Sequence, residues 1–399
     1  AATKTNKEPM RTAVVILNWN TRDYLGRFLP PLLESLQGLD AGVVVADNAS
    51  TDGSRELLAE RFPQVRTLPL TENFGFTGGY NRAFATLLGE PGAPEYLVLL
   101  NSDIEVPADW LEPLVDWMDA HPDYAACGPK LHALIPEGGD YRRTDRFEYA
   151  GAAGGLLDRY GYPFCRGRVP GRTEMDAGQY DRPADVLWVS GACLLVRARC
   201  WRELGGLDAR FFAHMEEIDW CWRAQLAGWR VGVVPDSCVW HLGGGTLAPA
   251  SPFKLKLNYR NGLLLLDNNL AATVGARKAR RRIRVRKILD CAAAIVYLLS
   301  GKGAGARAVR DAHREYRQLR GEPGTESSAS VPANAKKAVP GTESGACVPA
   351  NAKKAVPGTE SSAGVPAKPK GLWDVRILLQ TALRGEKIFN YLRRYEDRY

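Results

Sequence analysis

The sequence predicts an α/β fold built on a doubly wound, mostly parallel sheet, and three observations carry that prediction. Short apolar runs that read as buried strands alternate with stretches of helical periodicity. Three of the runs, within 12–20, 43–47 and 96–103, give way to polar residues at their carboxyl ends. A glycine-rich turn at 73–81 (NFGFTGGYN) opens a further helix. Such alternation favours a parallel sheet, whose ligands bind beyond the carboxyl ends of the strands. Asn18, Asn20, Asp47 and Asp103 all fall at such ends.

Taken in order, TAVVILNWN (12–20) is a buried strand that delivers Asn18 and Asn20. A helical pattern runs from Thr21 to Gln37. Val43-Val44-Val45-Ala46-Asp47 is a second apolar strand, ending in an acid. Ser50, Thr51 and Asp52 are good N-caps for a helix through Arg55 to Phe62. Val65 to Leu70 is a shorter strand, and Tyr96 to Leu100 a further one that ends in Asn101-Ser102-Asp103. The stretch 136–183, rich in Gly, Arg, Asp and Tyr, has little periodicity and reads as a long irregular insertion. Strand signals return at Val186 to Val196, a helix at Glu216 to Trp229 and a strand at Val231 to Val234. His241 and a Gly243-Gly244-Gly245 turn follow.

The character changes after about Ala271. Arg277 to Lys287 is densely basic and runs into an apolar stretch, 288–299, which suits either the interface of an anionic membrane or a helix packed on the main domain. Residues 323–370 repeat a 17-residue unit, PGTESSASVPANAKKAV, with almost no large apolar side chains, and are expected to be a disordered linker. Leu372, Val375, Leu379 and Leu383, then Ile388, Tyr391, Leu392 and Tyr395, restore helical periodicity in a tail that would dock on the domain, a partner or lipid. The expected units are therefore 1–270, a basic helical extension 271–320, a linker 321–370 and a C-terminal amphipathic helix 371–399.

Charge and cysteine usage narrow the setting. The net charge of +8 suits an anionic partner such as a nucleotide or an acidic lipid surface. The basic run lacks the aromatic interleaving of nucleic-acid binders, so nucleic acid is not an expected partner. Eight cysteines with no CxxC pair suggest reduced core thiols. The opening residues lack the apolar core of a signal peptide, and no apolar run reaches the roughly 18 residues of a membrane span. A cytoplasmic location, peripheral at the inner membrane face, is expected, and a homo-oligomer is one further partner considered.

Five segments in order resemble family 2 glycosyltransferases. They are Val14 to Asn20, Asp47 to Ser54, Asn73 to Gly79, Leu99 to Asp103, and Phe211 to Arg223 continuing through Ala227-Gly228-Trp229 to His241-Leu242-Gly243. The likeness spans roughly residues 11–265 and is nearest to bacterial rhamnosyltransferases and galactofuranosyltransferases. It implies a GT-A fold (Rossmann-like, nucleotide-diphospho-sugar transferase) with a C-terminal helical extension, and an inverting enzyme. The donor would be dTDP-L-rhamnose, or alternatively UDP-galactofuranose or another UDP-hexose. The acceptor would be a lipid-linked or growing surface glycan.

Residue by residue, the resemblance makes Asp47 the acceptor of a pyrimidine imide N–H, the alternative being a helix-capping role. Asn18, Asn20, Asn73, Gly75, Asn101 and Ser102 would join it around the nucleotide. Asp103 and His241 would hold a divalent metal, Mg2+ or Mn2+, although Asn101-Ser102-Asp103 offers one carboxylate where the family motif has more. Glu217 would be the base, with Glu216 the fallback, since inversion needs a group to take the acceptor hydroxyl's proton. Three acids at one helix start exceed what dipole complementarity asks. Gly78, Gly79, Trp188, Ser190, Gly191, Ala192, Asp219 and Trp220 would line the donor and acceptor pocket. Arg260 and Asn261 resemble a family position near the diphosphate. Against these stands an inactive nucleotide-sugar binding module, motivated by Asn101 and Ser102 where acids would be expected.

Overall fold

The computed structural model describes residues 9–243, 251–322, 324 and 369–396. Its first half alternates as expected: β1 (Thr12–Asn18), α1 (Arg22–Ser35), β2 (Ala41–Asp47), α2 (Ser54–Arg61), β3 (Arg66–Pro69), α3 (Gly75–Gly89), β4 (Tyr96–Leu100), β5 (Ile104–Glu105) and α4 (Glu112–Ala120). Next come β6 (Tyr124–Glu137), β7 (Asp140–Phe147), β8 (Gly155–Leu157), β9 (Pro163–Cys165), β10 (Arg168–Val169), β11 (Arg172–Thr173), β12 (Ala184–Asp185) and β13 (Cys193–Arg197). The chain continues through α5 (Ala198–Leu204), α6 (Glu216–Leu226), β14 (Arg230–His241), α7 (Pro252–Val274), α8 (Ala276–Leu299), α9 (Gly303–Leu319), α10 (Ile377–Arg384) and α11 (Ile388–Glu396).

Ten strands form the main sheet in the order β12-β14-β6-β13-β4-β1-β2-β3, with β5 on β14 and β7 on β6. The neighbours β4-β1-β2-β3 are parallel. The expectation of a mostly parallel sheet stops there, because β13 enters antiparallel between β4 and β6. Nothing in an apolar run such as Cys193 to Arg197 states its direction; the route of the preceding insertion does.

Period-two alternation divides the strand side chains between two cores, one on each face. Val15, Val44, Ala46, Leu97 and Leu99 pack with Tyr80 and Phe84 of α3. Val14, Ile16, Val43, Val45, Val98 and Leu100 pack with Leu25, Leu29, Leu57 and Leu58 of α1 and α2. Parallel strands covered on both faces leave one open edge, where β1, β2 and β4 all end.

The insertion is more ordered than its sequence suggested. It carries the β6–β7 hairpin and a small sheet in the order β11-β10-β9-β8. The tail docks on that sheet. Leu157 and Leu372 form a parallel bridge. Trp373, Val375, Ile377, Ile388, Phe389 and Leu392 close a third core with Leu156, Phe164 and Val169. The expected apolar stripe of the tail is only partly used, for α10 starts at Ile377 and Leu379 and Leu383 stay 46% and 72% exposed. The 17-residue repeats from Thr325 onward, Cys347, Gly244 and Gly245 lie outside the described residues.

Candidate functional site

The ends of β1 and β2 are joined into one polar knot. The Asn18 amide donates to Asp47 Oδ1 at 2.8 Å and to Ser50 Oγ at 2.9 Å, and Thr21 Oγ1 donates to Asn18 Oδ1 at 2.6 Å. Ser50 N–H donates to the other Asp47 oxygen at 3.2 Å. Asp47 is fully enclosed here, yet a carboxylate has about four lone-pair positions, and these bonds leave some unused. Exposed Asn20, at φ 55°, accepts from Thr51 N–H at 2.8 Å. Asn48 donates to Asn73 Oδ1 at 2.9 Å and to the Gly75 carbonyl at 3.1 Å, which ties the glycine turn to the same loop.

A second cluster forms where β5 pairs with the end of β14, His241 standing opposite Ile104. His241 Nε2 lies 3.2 Å from Asp103 Oδ1, and Nδ1 lies 3.4 Å from Glu148 Oε2. Asn101 Nδ2 is 3.3 Å from Nε2. All three ionisable groups are buried. Burial pushes the imidazole down, but Asp103 and Glu148 override it and raise it to about 10. Burial likewise opposes ionisation of Asp103, and the His241 charge wins, holding its carboxyl below the usual range. Among the described residues no group of three or more His, Cys, Asp or Glu is arranged to hold a metal ion. Asp103 and His241 offer a hard oxygen and an imidazole nitrogen, donors of the kinds that Mg2+ and Mn2+ accept.

The third part is the start of α6. Phe212, His214 and Met215 all take positive φ, at 63°, 71° and 71°, in the turn leading into it. Such a run of non-glycine residues is strained and is held only by its surroundings. Here Asn261 donates to the carbonyls of Phe211, Ala213 and His214 at 2.7–3.0 Å, and Arg260 donates to those of Arg210 and Phe211. In return the Phe212 carbonyl accepts from Phe76 N–H at 2.8 Å and Thr77 N–H at 3.2 Å. Gly75 is required in this contact: a Cβ there would fall 2.5 Å from the Phe212 ring, and its φ is +69°.

The turn presents the acids. Burial pushes the Glu217 carboxyl up to about 7 against the pull of backbone N–H groups at its start of the helix. Burial, and then the neighbouring charge of Glu217, drive Glu216 well above the carboxylate range; its Oε2 is enclosed without a hydrogen bond among the described residues. Glu217 is half-buried and Glu216 buried. A Cβ on Gly191 would lie 3.7 Å from Glu217 Cβ, so the Ser190-Gly191-Ala192 turn is its neighbour. The Ala192 carbonyl accepts from Asn101 N–H at 2.9 Å, which connects this turn to the Asp103 cluster.

Several expected pocket residues are placed elsewhere. Trp188 is 2% exposed, its indole N–H bonded to the Leu156 carbonyl, and it packs under Gly155. Trp220 is fully buried beside Trp201, with centroids 5.7 Å apart. Asp219 is fully buried too, paired with Arg223 at 2.7 Å and bonded to Asn268 and Asn269, so it anchors α6 to α7. Gly79 lets α3 press on β1, since a Cβ would fall 2.5 Å from Leu17; Gly78 packs in the same way on Phe74. Apolar surface is more stable inside and a charge is buried only when paired, and these five went there. Arg260 and Asn261 hold the turn before α6 instead of facing open space. Glu148 is the residue that sequence reasoning missed. It follows an exposed hairpin strand with no pattern to mark it, and only the pairing of β7 on β6 and of β6 on β14 brings it to His241.

Comparison with known proteins gives a consistent result. The sequence matches "Glycosyl transferase family 2" over residues 13–173 and "Glycosyl transferase family group 2" over residues 171–299. An N-acetylglucosaminyl-diphospho-decaprenol L-rhamnosyltransferase of Mycobacterium tuberculosis is 32% identical over 237 residues, 57% of this chain and 75% of the relative. The O-antigen biosynthesis protein RfbC of Myxococcus xanthus is 27% identical over 223 residues, 55% of this chain but 16% of the relative. Among solved structures, GalNAc-T7 with UDP, GalNAc and Mn2+ is similar with a TM-score of 0.50 at 18% identity, covering 67% of this chain. This chain spans about half of that one, 51%, and the likeness concerns the fold, which is GT-A.

Proposed function

The chain belongs to glycosyltransferase family 2, and from that premise we propose that it is an inverting rhamnosyltransferase, moving L-rhamnose from dTDP-L-rhamnose to a lipid-linked or growing surface glycan. The observation that carries this reading is the approach of Glu217, at the start of α6, to the turn that hydrogen-bonds Asn101, two residues before Asp103. The donor is argued from the M. tuberculosis relative, whose name specifies L-rhamnose and a diphospho-decaprenol acceptor.

In this mechanism the knot of Asn18, Asp47 and Ser50 receives the pyrimidine, Asp47 accepting its imide N–H. Asp103 and His241 would hold a divalent cation, which supplies positive charge to the departing diphosphate. Glu217, with its carboxyl at about 7, is ionised in a useful fraction at neutral pH. It takes the proton of the acceptor hydroxyl as that oxygen bonds to the anomeric carbon. The bond from that carbon to the diphosphate oxygen breaks on the opposite face, so the configuration inverts. Glu216, kept neutral by burial, adds no second negative charge against the incoming oxygen.

The C-terminal helices support a peripheral membrane setting. No helix among the described residues is long and apolar enough to cross a membrane. On α8, Arg277, Lys278, Arg280, Arg281 and Arg284 are exposed, followed by Ile288, Ile295, Val296, Leu298 and Leu299 at 56–84% exposure. A basic surface leading into an apolar one suits anionic headgroups above acyl chains.

The test is a donor panel of dTDP-L-rhamnose, UDP-galactofuranose and UDP-hexoses with Mg2+ or Mn2+ and a polyprenyl-diphosphate-linked N-acetylglucosamine acceptor. Mass spectrometry should find a deoxyhexose added from dTDP-L-rhamnose. Transfer solely from a UDP-hexose would replace the donor, and binding without transfer would remove the catalytic assignment.

A further inference from the structure

We propose that Glu148 is the positioning residue of His241: its carboxylate holds the Nδ1 edge of the ring, so that Nε2 is the nitrogen turned, beside Asp103, toward a divalent cation. The proposal rests on the reading above that Asp103 and His241 bind such an ion.

The two ring nitrogens face two different carboxylates. Nε2 is 3.2 Å from Asp103 Oδ1 and Nδ1 is 3.4 Å from Glu148 Oε2, an ion-pair distance at which Nδ1 has no hydrogen-bond partner among the described residues. The two nitrogens point away from one another across the ring, and each has its own carboxylate neighbour. An imidazole that binds metal through one nitrogen keeps the other protonated and bonded to a carboxylate or carbonyl, which fixes the tautomer and raises the ligand's basicity. Glu148 stands where that partner is needed.

Glu148 is also rigidly placed. Its N–H donates to the Leu131 carbonyl at 2.9 Å, and Leu131 is the register partner of Val239, two residues before His241. Oε2 accepts from Ala150 N–H. The residue is 8% exposed, as befits a built contact and not a surface acid. The chain leaving β14 passes close over it: a Cβ on Gly243 would come 2.9 Å from Glu148 Oε1, and its φ is +69°. Glycine at 243 is thus needed both for the turn and for the space that Glu148 occupies.

The experiment uses the whole 399-residue chain and Mn2+ alone. Glu148→Gln keeps the size and an acceptor oxygen for Ala150 and the ring, and removes the charge. Titration with Mn2+, followed by electron paramagnetic resonance of the free aquo ion, should show affinity lowered roughly 10- to 100-fold, with thermal unfolding in the absence of metal little changed. Affinity within about twofold of wild type would overturn the role of Glu148. A second measurement needs no variant and covers the case in which Glu148→Gln fails to fold. In wild-type protein with 15N-labelled histidine and 113Cd2+, coupling to the metal should appear at His241 Nε2 and a retained proton at Nδ1; coupling at Nδ1 overturns the proposal. Wild-type protein that takes up no Mn2+ overturns the metal reading itself, a different failure from uptake that Glu148→Gln leaves unchanged.

Discussion

At Glu217 burial and helix geometry pull in opposite directions. Exclusion of water favours the protonated acid, while backbone N–H groups at the helix start favour the anion, and burial is the larger effect. The carboxyl at about 7 therefore gains its proton as pH falls through neutrality. We expect kcat/KM to fall about tenfold per pH unit below 7 as the base is lost; a profile flat from pH 5 to 8 would remove Glu217 from that role. Glu217→Gln should lower kcat by roughly 10²–10⁴-fold and leave nucleotide affinity, measured by calorimetry, near that of wild type. The stability effect has the opposite sign. The folded state holds this proton more tightly than the unfolded chain, whose value is near 4.5, so stability from Glu217 is full below about 4.5 and is lost as pH rises through about 7.

On the scale of elements, the turn from Phe211 to Met215 is the part of the site under strain. Its positive φ values persist because α7 satisfies its carbonyls through Arg260 and Asn261, both inward-facing. Asn261→Ala would leave the part-buried carbonyls of Ala213 and His214 without this donor, while that of Phe211 keeps Arg260, at a cost of about 1–3 kcal/mol. We expect a matching loss in denaturant unfolding, and a fall in kcat as the turn no longer holds Glu217 against Gly191. Unchanged stability would mean that the turn is self-supporting. Much of this element was visible in the sequence: the acids Glu216, Glu217 and Asp219 mark a helix start. Their division of labour was not visible. Asp219 turns to α7 and Arg223 while Glu217 faces the Ser190–Ala192 turn, a difference of two helix positions that depends on what packs on each side.

Across the whole molecule, the GT-A sheet is braced at one end by the α7–α9 helices and at the insertion by the tail. Arg159 and Arg282 both reach Asp374, and Ile377 N–H donates to Asp158, so the tail joins insertion and helical extension. Burial lifts the Asp158 carboxyl to about 6 even though three backbone N–H groups favour its anion. The exposed stripe on α8 is left free by this arrangement. Reversing Arg277, Arg281 and Arg284 to Glu should reduce sedimentation with vesicles containing anionic lipid and leave soluble-donor hydrolysis or binding unchanged. Equal partitioning of variant and wild type would argue against the membrane contact. Each of these charges is solvent-facing, so the fold should tolerate each reversal within about 0.5 kcal/mol.

The sequence by itself determined the alternation of strands and helices, the polar residues at the ends of β1, β2 and β4, and the family. These are local properties: apolar period, strand length and turn composition lie along the chain and need no partner to be read. It also singled out Asp103, His241 and Glu217 as candidates, because motifs keep their order along the chain whatever the length between them. The tertiary structure alone decided the antiparallel entry of β13, the ordered small sheet in an aperiodic insertion, the burial of Trp188, Asp219 and Trp220, and the arrival of Glu148 at His241. Each depends on pairings between segments far apart in the chain. A strand's direction, an aromatic ring's exposure and a carboxylate's neighbour are set by what the rest of the fold brings against them, which no local pattern encodes.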